Sequence, residues 1–146
     1  DSSQGDRRSL ALFHQLRQGH QTIDAADIPD LVPILSVAAS AHYGATFLNI
    51  GRLRIKESDR VDSVCCMLQA LGGQAIADES TLTVFPAALS GGTVNCCNDH
   101  RIAMSAAIAA ALCDITVEGS DCVSKSYPSF WQEYQRLGGQ YEQHIR

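Results

Sequence analysis

The apolar stretch L-V-P-I-L-S-V-A-A-S-A-H-Y-G-A-T at residues 31–46 decides the fold, because it has a second copy. That copy is R-I-A-M-S-A-A-I-A-A-A-L-C-D-I-T at residues 101–116. In both, a helix of small apolar residues leads into a strand, and Thr46 and Thr116 occupy equivalent positions. A helix that is apolar all round must be covered on nearly all sides. The sequence therefore predicts two buried helices inside a shell of other elements.

The duplication extends beyond these helices, with a repeat of about 70 residues. Lys56 and Lys125 follow the two copies at nearly the same interval. Three amphipathic helices each end at a Gly-x-Gln phrase and lead into a short strand. The helices are predicted over residues 8–18, from residue 59 onward and over residues 128–137. The strands that follow them are predicted at residues 22–23, 75–76 and 141–142. A hairpin strand is predicted at residues 81–85. We expect an α/β fold with parallel strands joined by crossovers.

Composition argues against two classes of partner. The chain has 146 residues, 45% hydrophobic and 18% charged, with a formal net charge of -5. Because nucleic-acid binders normally carry a basic balance, we expect no nucleic-acid partner. No apolar run approaches the ~20 residues that span a bilayer, and no secretory pattern is present, so we expect no membrane contact and a cytoplasmic location. The cysteines and histidines lack ligand spacing, and most of the cysteines lie in apolar runs, which predicts reduced thiols in the core and no metal.

The most highly charged stretch is R-L-R-I-K-E-S-D-R at residues 52–60, between a strand predicted at 45–50 and a helix. It holds four cations and two carboxylates: Arg52, Arg54, Lys56, Arg60, Glu57 and Asp59. Ser58 or Asp59 is expected to cap the helix, so that free N–H groups and the positive end of the helix dipole lie beside the cations. This pattern favours an anion site. A solvated helix face with i,i+4 ion pairs is the alternative.

Polar residues at the turns of the two units converge if the units superimpose. Three separated cations suit a small ligand with phosphate and carboxylate groups, because arginine offers a bidentate fork and lysine a movable charge. These cations are Arg60, Arg101 and Lys125. Asp30 and Glu57 are candidates for general acid and base work. A helix cap is the alternative role of Asp30, and a capping or core position is the alternative for His100.

Four motifs in order resemble the C-terminal domain of the 5-enolpyruvylshikimate-3-phosphate synthase family. They are I-P-D at residues 28–30, R-L-R-I-K-E-S-D-R at 52–60, N-D-H-R-I-A-M at 98–104 and K-S-Y-P at 125–128. The resemblance covers essentially the whole chain. It implies repeated βαβαββ units around buried helices, the inside-out α/β barrel domain of enolpyruvyl transferases. Residues 1–146 would be a partial C-terminal domain, without metal or organic cofactor.

The resemblance also implies a reaction and a role for each site residue. The enolpyruvyl group of phosphoenolpyruvate would be transferred to the 5-hydroxyl of shikimate 3-phosphate, with release of phosphate. Arg60, Arg101 and Lys125 would bind phosphoenolpyruvate, and Lys56 would lie against shikimate 3-phosphate. Asp30 would take the hydroxyl proton and Glu57 would handle the proton on the enol methylene. The predicted substrate-binding set also includes His100 and Arg52. Some members of the family have an Asn-Trp pair at the position of Arg52-Leu53.

Two further expectations concern what the sequence lacks and what else it could be. The family's N-terminal domain, with its own lysine for phosphoenolpyruvate and most of the shikimate 3-phosphate pocket, is not in residues 1–146, so we expect the chain alone to be inactive or nearly so. A domain that transfers enolpyruvate to a UDP-sugar is one alternative, although K-E-S-D-R and N-D-H-R-I-A-M favour the shikimate acceptor. A non-catalytic repeat module is the other; scattered rather than converging cations would favour it.

Overall fold

The computed structural model describes residues 5–144, which fold into helices and strands in the predicted alternation. The α-helices are α1 Ser9–Leu16, α2 Val32–Ala41, α3 Arg60–Ala70, α4 His100–Ala109 and α5 Phe130–Arg136. The strands are β1 Gln21–Asp24, β2 Ala45–Leu48, β3 Gln74–Ala77, β4 Thr81–Phe85, β5 Gly92–Asn95 and β6 Ile115–Glu118. Three 3-10 helices cover Gly5–Arg8, Ile50–Ile55 and Ser120–Lys125. The α/β fold class is confirmed.

The predicted duplication is visible in the strand pairing. Strands β1 and β2 pair in parallel with Thr22 opposite Thr46, and β5 and β6 pair in parallel with Thr93 opposite Thr116. In each unit the second strand leads into a 3-10 helix through a residue in the left-handed region, Asn49 in one unit and Gly119 in the other. The units therefore share backbone conformation as well as element order.

Two separate sheets surround the buried helices. One has four strands in the order β1-β2-β4-β3, and the other contains β5 and β6. Within the first sheet β4 runs antiparallel to both β2 and β3, so β3 and β4 form the predicted hairpin. The parallel pairs β1–β2 and β5–β6 are each joined by a buried helix, α2 or α4, which is the crossover that parallel pairing requires.

Helices α2 and α4 contact each other in the core, as their sequences require. Seven residues of α2 and six of α4 are buried, and Leu35 and Ile102 are fully inaccessible to solvent. Their small side chains let the two backbones lie close together. Helix α3 packs on the outside against β3, with Val64 and Leu68 directed inward and acidic or polar residues outward. This layering holds the N-terminal ends of α2, α3 and α4 in a fixed relation.

Some sequence-based boundaries were wrong. Helices α1 and α5 are shorter than the predicted 8–18 and 128–137. Strand β2 ends at Leu48 rather than at residue 50, because the left-handed Asn49 turns the chain into a 3-10 helix. Residues 141–142 form no strand. Instead the Tyr141 ring packs on Trp131, 5.3 Å between centroids, so an aromatic contact with α5 takes the place of sheet pairing.

Several negative findings apply to residues 5–144. No helix there is both long and apolar enough to cross a membrane. No group of three or more candidate ligand side chains is placed to hold a metal ion in that range. The six cysteines are free thiols, of which Cys96 and Cys122 are buried while Cys66 and Cys97 are exposed. The prediction that most of the cysteines lie in the core is therefore wrong, since two of the six are buried.

Gly44 is expected to tolerate no side chain. It turns the chain between α2 and β2 with φ of 80°, and a Cβ there would lie 2.5 Å from the Val84 carbonyl oxygen. Gly44→Ala should lower the free energy of unfolding by about 2 kcal/mol or more, because a left-handed backbone and a clash with a backbone atom add together. Urea unfolding followed by circular dichroism measures the loss.

Gly51→Ala is the matched control. Gly51 has no atom within 4 Å of an added Cβ and lies in a 3-10 helix with no positive φ. We expect its free energy of unfolding to stay within about 0.5 kcal/mol of the wild-type value. Equal losses for the two variants would contradict the explanation given for Gly44.

Candidate active site

Four of the predicted site residues lie at or just before the N-terminal ends of three helices. Asp30 immediately precedes the first turn of α2, and Arg60 is the first residue of α3. His100 and Arg101 begin α4. Because the positive end of each helix dipole points to this region, carboxylates are favoured there. The duplicated fold thus gathers polar residues that are far apart in sequence.

Two of the helices begin with an aspartate cap. The side chain of Asp59 accepts the backbone N–H three residues later at 3.3 Å, and that of Asp99 accepts the Arg101 N–H at 3.0 Å. Each cap satisfies a donor that the first helical turn leaves free. The cap predicted at residue 58 or 59 is confirmed at Asp59. Helix α2 has no side-chain cap, so Asp30 is not a cap and its carboxylate faces the cluster.

Arg60 is the centre of the site, and its guanidinium is fully buried. Nε donates to Asp99 at 2.9 Å, and Nη2 donates to Asp99 at 3.1 Å and to Glu57 at 2.6 Å. Nη1 donates to Asp30 at 2.7 Å and to the Pro29 carbonyl at 3.5 Å. All five guanidinium N–H groups therefore have an acceptor. The alternative prediction of a solvated helix face is therefore wrong for Arg60.

The pKa of Arg60 follows from these contacts. Burial alone would lower it, but the hydrogen bond and negative charge of Asp99, together with Asp30, outweigh burial and raise the pKa above its usual value. Arg60 is therefore a permanent cation inside the protein. A buried cation is tolerated only when paired and hydrogen-bonded, as it is here.

Asp99 belongs to the site but is not in the set of catalytic and binding residues predicted from the sequence. It is fully buried and accepts from Arg60, from the Ser58 hydroxyl at 3.0 Å and from the Arg101 backbone N–H. Ser63 in turn donates its hydroxyl to Ser58 at 3.0 Å. The available signal was its position as the aspartate directly before a buried helix, in N-D-H-R. One carboxylate thus joins the start of α4 to the start of α3.

Asp30 lies among three cations. Its carboxylate is 2.7 Å from Arg60, 3.6 Å from the Lys56 Nζ and 3.6 Å from an Arg101 Nη2. Partial burial would raise the pKa of Asp30, but the hydrogen bond from Arg60 and the charges of Arg101 and Lys56 outweigh it and lower the pKa. The carboxylate is therefore ionised at neutral pH while about a third of its side chain stays exposed.

Glu57 joins the cluster through the Nη2 group of Arg60. One carboxylate oxygen accepts from Arg60, and the other lies 3.9 Å from His100 Nδ1. Its side chain is 46% exposed, whereas that of His100 is 13% exposed. His100 does not cap α4, since Asp99 does. The structure therefore brings Asp30, Glu57 and His100 to one site.

A hollow of about 180 Å³ opens beside Asp30 and Arg101, between α2 and α4. Its walls are otherwise mostly apolar, and the residues that line it include Leu31, Ile34, Met104 and Ile108. The Arg101 Nε is buried and has no hydrogen-bond partner. Because 32% of its side chain is exposed, Arg101 can still donate to a ligand, in contrast to Arg60.

Two predicted residues are not tied into this cluster. Lys125 ends the 3-10 helix Ser120–Lys125, is exposed, and forms no ion pair within residues 5–144. Arg52 donates to the Ala26 carbonyl at 2.9 Å and lines a different, more open hollow of about 510 Å³ with Glu79. The larger hollow does not touch the charged cluster, so we place the chemistry at the smaller one. Substrate contacts of Lys125 and Arg52 stay predictions.

The arrangement has the parts of an anion site with proton-transfer groups beside it. Lys56 and Arg101 are partly exposed cations, and Asp30 and Glu57 are partly exposed carboxylates. Arg60 and Asp99 are buried behind them. The fold and site define a duplicated α/β domain with two partly exposed cations and two partly exposed carboxylates gathered at one end.

Comparisons with known proteins agree with this description. Residues 3–134 match the family described as EPSP synthase (3-phosphoshikimate 1-carboxyvinyltransferase). A 3-phosphoshikimate 1-carboxyvinyltransferase of Clostridium acetobutylicum is 50% identical over 121 residues, covering 80% of this chain and 28% of that protein. One of Clostridium perfringens is 41% identical over 140 residues, covering 93% and 33%. An EPSP synthase structure from Acinetobacter baumannii superimposes with a TM-score of 0.73 at 28% identity, covering 78% and 28%.

The chain belongs to the EPSP synthase family. The match spans most of its length, and the fold agrees with that of the solved relative. The chain spans about a third or less of the length of these relatives. The predicted family is therefore confirmed, and the assignment of residues 1–146 to a C-terminal domain stays a prediction.

Asp99→Asn tests the buried pair. Removing the charge leaves Arg60 buried with a weaker partner, so we expect the free energy of unfolding to fall by about 3 kcal/mol or more. Asp62→Asn is the control, because Asp62 is 74% exposed and lies 3.6 Å from Arg54; a loss below about 1 kcal/mol is expected there. Urea unfolding at neutral pH measures both. Comparable small losses would show that Asp99 contributes little to stability.

Asp30→Asn tests the acid dependence of stability. Because the folded pKa of Asp30 lies below its ordinary value, its contribution to stability is fully present above that ordinary value, about pH 4, and is lost as the pH falls through the folded pKa. Asp30→Asn should therefore show a smaller loss of unfolding free energy below pH 4 than the wild type. Asp27→Asn, which removes an exposed carboxylate from the same loop, controls for the lost charge. If the unfolding free energy of Asp30→Asn falls below pH 4 as steeply as that of the wild type, the pairing of Asp30 with the cations is contradicted.

Proposed function

We propose that this chain is the phosphoenolpyruvate-side, C-terminal segment of an enolpyruvyl transferase. The enzyme would transfer the enolpyruvyl group of phosphoenolpyruvate to the 5-hydroxyl of shikimate 3-phosphate and release phosphate. The observation that carries the proposal is the meeting of Asp30, Glu57, Lys56 and Arg101 around the buried Arg60. The names of the relatives support the same reaction.

The cations are suited to the donor substrate. Phosphoenolpyruvate carries a phosphate and a carboxylate, and the partly exposed Arg101 side chain lines the hollow at Asp30. Lys125 would supply a second, movable charge and Lys56 would face shikimate 3-phosphate. Arg60 has no free N–H, so binding phosphoenolpyruvate there requires the ligand to replace Asp30 or Glu57 as an acceptor.

The carboxylates are suited to the proton transfers. Asp30 is ionised at neutral pH, so it can accept the proton of the 5-hydroxyl as that oxygen bonds to C2 of phosphoenolpyruvate. Glu57 would first take up a proton and then give it to the methylene C3, forming the tetrahedral adduct. A proton then returns from C3 to Glu57 as the bond from C2 to the phosphate oxygen breaks. The cations stabilise the charge on the departing phosphate.

The other readings have less support. None of the relatives reported above is named for a UDP-sugar acceptor. Of the three cations expected to converge, Arg60 and Arg101 meet at Asp30, which favours an enzyme over a repeat module, while the convergence of Lys125 stays a prediction. The rest of the relatives' length would supply the N-terminal domain as the intramolecular partner. A cytoplasmic location and the lack of a cofactor stay predictions.

A chimeric enzyme tests the proposal. This chain would replace the matching segment of the Clostridium acetobutylicum relative, which supplies the remaining length. We expect phosphate release from phosphoenolpyruvate when shikimate 3-phosphate is present and none with UDP-N-acetylglucosamine. The chain alone should release no phosphate from either pair. A folded chimera that is silent with shikimate 3-phosphate would overturn the proposal.

Two substitutions in the chimera separate binding from chemistry. Arg101→Gln should raise KM for phosphoenolpyruvate and lower kcat/KM by about 100-fold, since a charge-assisted contact is lost. Glu57→Gln should lower kcat by about 100-fold or more, since general acid–base groups contribute that much. Arg136→Gln, an exposed arginine on α5, is the control and should stay within about twofold.

A further inference from the structure

Lys56 and Glu57 lie on a segment that has no regular structure of its own. Residues 56–59 connect the 3-10 helix Ile50–Ile55 to α3, outside any helix or strand. The far end of the segment is fixed by Asp59, which caps α3. Such a segment places its side chains accurately only when something else restrains it, since loops are the more mobile part of a fold.

Arg54 provides contacts on both sides of this segment. Its Nη1 donates to the Asp59 carboxylate at 3.1 Å and lies 3.6 Å from Asp62. Its Nη2 donates to the Asp78 backbone carbonyl at 3.0 Å. Two thirds of the Arg54 side chain is shielded from solvent. One guanidinium therefore joins the 3-10 helix, the start of α3 and the turn between β3 and β4.

The turn that Arg54 contacts is itself well ordered by hydrogen bonds. The Asp78 carboxylate accepts the backbone N–H groups of Ser80 and Thr81 at 2.8 and 2.7 Å, and also the Thr81 hydroxyl at 3.0 Å. These bonds lower the pKa of Asp78, so its carboxylate is ionised at neutral pH and keeps accepting the hydrogen bonds that hold the turn. Arg54 is thus attached to a fixed point of the sheet.

We infer that Arg54 is a positioning residue, which holds the segment carrying Lys56 and Glu57 by bridging Asp59 to the Asp78 carbonyl. The bridge closes the segment across its base, so that Lys56 stays near Asp30 and Glu57 stays near Arg60. The inference rests on the proposed function for its catalytic consequence. The restraint itself is a property of the chain.

The chemistry explains why arginine occupies this position. Its planar fork offers separate N–H groups to two acceptors at once, whereas a lysine ammonium would reach one of them. A partly exposed ion pair contributes little to global stability. A misplacement of about 1 Å at a catalytic group can nevertheless cost on the order of 100-fold in rate. Loss of Arg54 should therefore affect position more than unfolding.

Backbone dynamics of the chain give the direct test. In ¹⁵N relaxation measurements, the amides of residues 56–58 should have order parameters near 0.85 in the wild type and below about 0.6 in Arg54→Gln. Asp59→Asn keeps a capping oxygen but removes the charge, so it should loosen the same amides. Arg136→Gln removes a comparable arginine contact, 2.7 Å from Glu133, and should leave these amides unchanged. Unchanged order parameters in Arg54→Gln would overturn the inference.

Kinetics in the chimera give the second test. Arg54→Gln should lower kcat by about tenfold with a melting temperature within a few degrees of wild type, and Arg54→Lys should recover part of the loss. The double variant with Asp59→Asn should be no worse than Arg54→Gln, because the two residues act as a unit. An unchanged kcat, or a loss explained entirely by unfolding, would overturn the role.

The two proposals fail in different ways. If the wild-type chimera is inactive, the proposed function fails, and the order parameters still decide whether Arg54 restrains residues 56–58. If the chimera is active and Arg54→Gln matches it in both dynamics and kcat, the proposed function stands and the positioning role is wrong.

Discussion

The rest of the site depends on the burial of one guanidinium. Arg60 has no contact with solvent, and a charge in that position is stable only if its donors are satisfied and its charge is balanced. Asp99 meets this requirement from inside the core, and Asp30 and Glu57 meet it from the surface side. Three carboxylates exceed one cation, so further cations are needed nearby; Lys56 and Arg101 lie within 3.6 Å of Asp30.

The duplicated fold makes this arrangement possible. Each unit ends a parallel strand, turns, and starts a buried helix at the same end of the domain, so Asp30 and Asp99, each in the turn before a buried helix, both reach Arg60. The second half of the first unit adds α3, whose first residue is Arg60. An aspartate before a buried helix serves as a cap at residue 99 but not at residue 30. The turn before the buried helix therefore supplies a buried capping carboxylate in one unit and a partly exposed, non-capping one in the other.

The sequence predicted what depends on local pattern and missed what depends on packing between distant segments. The repeat, the buried helices and the cap at Asp59 follow from periodicity and helix-start chemistry, which act over a few residues. The burial of Arg60 and the central place of Asp99 depend on contacts across 39 positions, which no local pattern specifies. The prediction of a strand at 141–142 is wrong for the same reason. A strand needs a neighbouring strand edge to pair with, and the Tyr141 ring packs against α5 instead.

The division between buried and exposed charges also determines what the site needs for catalysis. Arg60 and Asp99 sit in a low dielectric, where their attraction is strong and their positions are fixed. Asp30 and Glu57 are 36% and 46% exposed, so water screens their interaction with any ligand. Electrostatic stabilisation of a transition state is largest where water is excluded. Rapid turnover therefore requires another protein surface to cover these two carboxylates, which is the part we propose for the remaining length of the relatives.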